Sequence, residues 1–230
     1  MLLYKSLYDY GEAEYVIEKS RFIAHAMPVA SLDEAKEYVA SVKEEYRDAT
    51  HNVPAIIVGA KQEVQWASDD GEPGGTSGLP MLKLIAGEGL TNLAVVVTRY
   101  FGGIKLGTGG LARAYTASAK LGIEAAGVCD VMESALIRYE FDYSYLSKLQ
   151  NMAGSGMGTG AGQGKFEIID PEYSDVVRAG IRCLAEDEGE IRGMMTNLTS
   201  GQAKILSEEK SLIRIRLYYQ DVLYSLQFPL

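Results

Sequence analysis

The stretch of chain that most constrains the fold runs from Ala94 to Ala126. It opens with an apolar run, passes through RYFGGIKLGTGGLAR at residues 99–113 and ends in an alanine-rich segment. The apolar run predicts a buried β-strand over Ala94–Tyr100. The glycines that follow predict a loop over Phe101–Gly110. The alanine-rich segment predicts a helix over Leu111–Ala126. A strand that runs through a glycine loop into a helix can serve two ends. Glycine permits close approach of helix and strand where a Cβ would clash. The same loop can also aim backbone N–H groups and a helix N-terminus at an anion.

Charge supports the second use. The chain has 230 residues, a formal net charge of −9 and a pI near 4.9, which argues against nonspecific coating of nucleic acid. Yet no Asp or Glu occurs from Gly89 to Ile123, whereas Arg99, Lys105, Arg113 and Lys120 do. Within this stretch Arg99 and Lys105 are candidate phosphate contacts and Arg113 adds charge. Tyr100 or Phe101 is a candidate stacking residue. Gly102, Gly103, Gly107, Thr108, Gly109 and Gly110 complete the candidate anion- or nucleic-acid-binding loop, with Gly107–Gly110 as backbone donors. No GK[ST] ends the loop and its glycine spacing does not match a dinucleotide fingerprint, so nucleotide hydrolysis has no support.

A second loop, DDGEPGGTSG at residues 69–78, places Asp69, Asp70 and Glu72 among turn glycines. Such carboxylates could hold Mg²⁺ or act as acid and base. The plainer reading is a tight turn, since Asp bonds its own backbone and Gly supplies positive φ. His51, Asp70, Gly71, Glu72 and Thr76 are therefore expected as a supporting loop, with no metal and no cofactor. His51 precedes a strand and lacks a nucleophile elbow nearby, so a Ser/His or Cys/His hydrolase fits poorly. Cys129 and Cys183 are far apart, which predicts buried thiols in a reducing compartment. No apolar run is long enough to cross a bilayer and the N-terminus does not resemble a secretory signal, so a cytoplasmic location is expected.

The rest of the first half predicts a strand over Glu14–Val29 and a helix from Ser31 to about Arg47, with Glu34 completing a capping box. A hairpin over Val53–Gly59 and Glu63–Ala67 and a short helix over Pro80–Ala86 follow. The second half restarts with strand Glu133–Phe141, helix Tyr143–Met152, strand Lys165–Ile169, strand Ser174–Leu184 and helix Glu186–Leu198. Strands Ala203–Leu206 and Ser211–Leu217 close it. The order βαββαβ suggests a ferredoxin-like domain. The expected division is 1–128 and 129–230. Gly154–Gly164, with glycine at every second position, is expected to be a flexible loop rather than a phosphate loop.

The segments SRF (20–22), DATHN (48–52), DDGEPGGTSG (69–78) and VVVTRYFGGIKLGTGGLARAY (95–115) resemble the YigZ/IMPACT family. Asp70, Gly71, Glu72, Pro73, Arg99, Tyr100, Gly102, Gly103, Lys105, Gly107, Gly109, Gly110 and Leu111 match its pattern. Gly74 and Ser77 depart from the usual DGEPSGTAG, which weakens any model giving chemistry to the missing serine. The resemblance implies an α+β chain of two domains. The N-terminal one is a ribosomal-protein-like β–α domain of the type seen in domain IV of elongation factor G. The C-terminal one is ferredoxin-like. Eukaryotic members are linked to control of translation initiation, and bacterial members have been proposed to bind nucleic acid. The expected function is a translation-associated regulator binding RNA or a ribosomal surface. A metal- or phosphate-dependent enzyme, in which Asp70 and Glu72 hold a metal or act as base while His51 and Arg99 converge on a small phosphorylated substrate, and a protein-interaction adaptor remain as alternatives.

Overall fold

The computed structural model describes residues 1–153 and 164–217. The chain is α+β and divides into two compact units. One comprises residues 4–130 together with Arg216 and Leu217; the other comprises residues 131–215 together with Met1–Leu3.

The first unit is built on an antiparallel five-stranded sheet. Its strands are β2 (Gly11–Ile17), β3 (Ser20–Pro28), β4 (His51–Val58), β5 (Val64–Ala67) and β6 (Leu93–Tyr100). They lie in the order β2-β3-β6-β4-β5. Helix α1 (Leu32–Glu45) links β3 to β4, α2 (Gly78–Gly87) precedes β6 and α3 (Gly107–Ala126) follows it. The central strand β6 is buried along nearly its whole length because its two faces feed separate cores. Leu93, Val95 and Val97 pack with Met81 and Ile85 of α2 and with Leu111, Tyr115 and Ile123 of α3. Ala94 and Val96 pack with Ala35, Val39 and Val42 of α1. Each Val, Leu, Ile or Met side chain among these contributes about 1.5–3 kcal/mol on removal from water. Helix α1 starts as expected: the Ser31 hydroxyl accepts from Glu34 N at 3.1 Å, and the Glu34 carboxylate accepts from Ala30 N at 2.6 Å.

The strand expected over Glu14–Val29 is instead the hairpin β2–β3. Ile17 pairs with Ser20, and the two turn residues, Glu18 and Lys19, both have positive φ (47° and 63°). A residue pair rarely used in such turns hid the reversal, while the apolar pattern ran on through it.

In the second unit the long strand β7 (Val128–Phe141) is followed by a 3₁₀ turn at Tyr143–Tyr145 and α4 (Leu146–Met152). Then come β8 (Phe166–Tyr173), β9 (Val177–Leu184), α5 (Glu188–Thr199) and β10 (Lys204–Arg216). The spatial order β10-β7-β9-β8 is that of a ferredoxin-like βαββαβ sheet. Strand β1 (Leu2–Leu7), which the sequence pattern did not suggest, also pairs with β7. The two closing strands expected at 203–206 and 211–217 are one strand, β10. It is exposed along nearly its whole length, so no alternation marked it across the polar stretch Ser207–Lys210. The alternating-glycine segment lies, apart from Gly164, outside the described residues. Both cysteines are buried, and burial pushes the Cys183 thiol up to about 11. Among the described residues no helix is long and apolar enough to cross a membrane.

Candidate functional site

Sheet register sets the site. Arg99 at the end of β6 pairs with Phe22 of β3 on one side and His51 of β4 on the other. All three therefore lie in one row on the face covered by α2 and α3, in phase with Val95 and Val97. The loop over residues 69–77 brings Glu72 onto this row, and α3 brings Tyr115. Arg99 Nη1 donates to Glu72 Oε1 at 2.5 Å and Tyr115 Oη donates to the same oxygen at 2.8 Å. His51 Nε2 lies 3.8 Å from it. The side chains of Arg99 and Glu72 are only 6% and 3% exposed. The Arg99 guanidinium lies over the rings of both Phe22 and Phe101, 5.4 Å from each centroid. Burial raises the Tyr115 hydroxyl pKa well above its ordinary value, and the Glu72 charge and hydrogen bond raise it further.

The other two loop carboxylates point elsewhere. Asp69 Oδ1 accepts from Ser77 Oγ at 2.6 Å and from Ser77 N and Gly78 N at 3.0 Å; its Oδ2 accepts from Gly75 N at 2.7 Å. Burial pushes the Asp69 carboxyl up, but these four bonds outweigh it and hold the pKa below the usual range. Asp69 thus fills the N-terminus of α2. Asp70, with φ of 49°, bonds Lys43 of α1 through one oxygen and accepts from Asn52 N at 2.7 Å through the other. Its carbonyl lies 2.8 Å from His51 Nδ1, which must carry the proton, leaving Nε2 facing Glu72. Gly71 has φ of 88° and sits against the His51 ring, and the Thr76 hydroxyl donates to Pro73 O at 2.6 Å.

Of the expected supporting loop, His51, Gly71 and Glu72 lie beside Arg99 in this structure, and Asp70 bonds the His51 ring through its carbonyl. Glu72 is neutralised by Arg99, Asp70 by Lys43, and Asp69 is taken up by backbone amides. Among the described residues no group of three His, Cys, Asp or Glu side chains could hold a metal ion.

The expectation that Arg99 contacts phosphate is corrected. Its charge is turned inward, under Phe101 and onto Glu72, because strand alternation places it on the covered face. Gly102 is likewise structural: a Cβ there would lie 2.0 Å from the backbone carbon of Lys19. Tyr100 points to the opposite face, where its hydroxyl donates to Asp48 at 3.0 Å and the Arg21 guanidinium lies 5.8 Å from its ring centroid.

What remains on the surface is the segment from Phe101 to Arg113. The expected loop is shorter than the glycines suggested, since α3 begins at Gly107, whose φ of 70° turns the chain into the helix. Gly107–Gly110 are its first turn. Leu106 at the N-cap gives no side-chain hydrogen bond and no acidic residue lies in that turn. Lys105, Thr108 and Arg113 are exposed, and neither Lys105 nor Arg113 has an ion-pair partner among the described residues. A Cβ built on Gly109 would lie 3.5 Å from Arg113 Nη1, so that guanidinium folds back over the first turn. Phe101 is 45% and Ile104 40% exposed. Lys43, Asp48, Thr50 and Tyr115 join the site without having been singled out in the sequence. Asp48 and Thr50 lay within the DATHN segment and Tyr115 on the buried stripe of α3, whereas Lys43 had no signal.

The family model for the Impact N-terminal domain matches residues 18–123. IMPACT family member YvyE of Bacillus subtilis is 37% identical over 206 residues, spanning 90% of this chain and 91% of that protein. IMPACT family member YigZ of Escherichia coli is 32% identical over 84% of this chain and 92% of that one. A crystal structure of a hypothetical protein, 29% identical, covers 90% of this chain and 98% of its own with a TM-score of 0.55.

Proposed function

The chain belongs to the IMPACT family, and on that premise we propose that it is a translation-associated regulatory protein that binds RNA or a ribosomal surface through residues 101–113. The observation that carries this reading is the N-terminus of α3. In the same unit the N-terminus of α2 is filled by the Asp69 carboxylate. That of α3 has no side-chain cap and no acid in its first turn, and exposed Lys105 and Arg113 flank it. An α-helix N-terminus carries roughly half a positive charge and unsatisfied N–H donors, so an external phosphate can take the place that Asp69 takes at α2. Arg99, held by Glu72 with Tyr115 on the same oxygen, lies against the ring of Phe101 at the start of this segment. The translation role itself is supported by what family likeness implies.

The test is co-sedimentation of the full chain with ribosomes and ribosomal subunits across a salt series, beside the variant Lys105→Ala/Arg113→Ala. The reading expects salt-sensitive binding that the variant loses while keeping its fold. No sedimentation at low salt would contradict it. A stoichiometric protein partner recovered without RNA would favour an adaptor instead.

A further inference from the structure

We propose that Phe101 is a stacking platform for an unpaired nucleobase, so that the RNA is single-stranded where it meets the loop; this rests on the preceding reading that residues 101–113 bind RNA. The ring is built as a platform. One of its faces is supported by the Arg99 guanidinium, 5.4 Å from the centroid, which is itself backed by Phe22 and held by Glu72. Its backbone is pinned as well. Phe101 N donates to Thr50 Oγ1 at 3.0 Å and Gly102 N to Ser20 Oγ at 3.2 Å. A large apolar ring that is 45% exposed on so fixed a base has little rotamer freedom left to lose when a flat ligand covers it.

The choice of occupant follows from the surroundings. Lys105, Arg113 and the uncapped start of α3, all on the segment that Phe101 opens, supply the charge that a phosphate backbone needs. A nucleobase attached to those phosphates offers the matching flat face. Bases inside a duplex are already stacked on their neighbours and cannot offer it, so a paired RNA would engage only the charges. Tyr100 is not an equivalent platform. Its ring lies on the opposite face of the sheet beneath Arg21, and its hydroxyl is held by Asp48.

The experiment is fluorescence anisotropy at fixed low salt. It uses a labelled single-stranded oligoribonucleotide of about 12 nucleotides, within the usual span of such sites, and a duplex of equal length. The proteins are wild type, Phe101→Leu, Phe101→Trp and Lys105→Ala. Leucine keeps an apolar cover over Arg99, so its effect reads stacking rather than folding. The expected result is a single-strand preference of about fivefold or more, since that is the lower range for one base–aromatic stack. Phe101→Leu should remove the preference by weakening the single strand alone, and Phe101→Trp should keep it. Lys105→Ala should weaken both ligands. If single strand and duplex bind equally, or if Phe101→Leu leaves the single strand unchanged while Lys105→Ala weakens both, the stacking role is wrong and the RNA reading stands. If neither ligand binds, both are wrong.

Discussion

Replacing Glu72 with glutamine should destabilise the N-terminal unit severely, although the two side chains are nearly the same shape. Glu72 and Arg99 are 3% and 6% exposed and lie 2.5 Å apart. Removing one partner of a buried pair leaves the other charge without compensation, which costs about 3–5 kcal/mol. Glutamine still offers Tyr115 an amide oxygen, so the lower end of that range is expected. With a urea dependence of about 1–3 kcal/mol per molar, the midpoint should fall by about 1 M or more. Trp66, the chain's only tryptophan, sits on β5, so its fluorescence follows this unit separately from the ferredoxin-like one. The variant Glu72→Gln/Arg99→Met removes both charges and should recover at least about half of the loss, because no charge is then left uncompensated. A midpoint shift below about 0.3 M for Glu72→Gln, or strict additivity with Arg99→Met, would refute the account of Glu72 and Arg99 as a buried latch between the 69–77 loop and β6.

Acid should weaken the same unit through His25, which is 2% exposed. Burial holds its folded pKa below the ordinary value against the opposing pull of Glu12 and Glu45. As pH falls, the unfolded chain takes up the proton first, near pH ~6.5, so stability present above that pH is lost as pH drops toward the folded value. His25→Gln should flatten this part of the urea-midpoint curve, and an unchanged curve would contradict the assignment. Gly102→Ala should cost about 1–3 kcal/mol, since a Cβ would meet the backbone of Lys19 and the β2–β3 turn must shift; a neutral midpoint would show that the turn yields freely. Ser31→Ala should cost about 1 kcal/mol through loss of the α1 cap, read by the same Trp66 transition.

Where local chemistry was unambiguous, the sequence was a good guide. The capping box of α1, the buried strand β6 and the alanine-rich helix α3 each carry their own signal. The β2–β3 reversal did not, because Glu18 and Lys19 take left-handed backbone conformations that their residue types do not announce. The pairing of β1 with β7 did not either, since it joins residues more than a hundred positions apart. At the site, glycine and charge located both loops, but not which side chains face outward. Arg99 looked like a surface cation within an acid-free stretch. Its strand parity with Val95 and Val97 already placed it on the covered face, whereas the two cationic partners, Lys43 of Asp70 and Arg99 of Glu72, are set by the tertiary arrangement. Lys43 reaches Asp70 from the last turn of α1, a contact with no local trace.

The central claim is that the outward charges at the start of α3 meet a phosphate backbone. It is tested most directly by the salt dependence of RNA affinity for wild type, Lys105→Ala and Arg113→Ala. Each lost phosphate contact on a single strand should flatten the log–log slope by about 0.7. Slopes that flatten in this way would support the claim. Measurable binding with the same slope in all three proteins would place the contact elsewhere and contradict it.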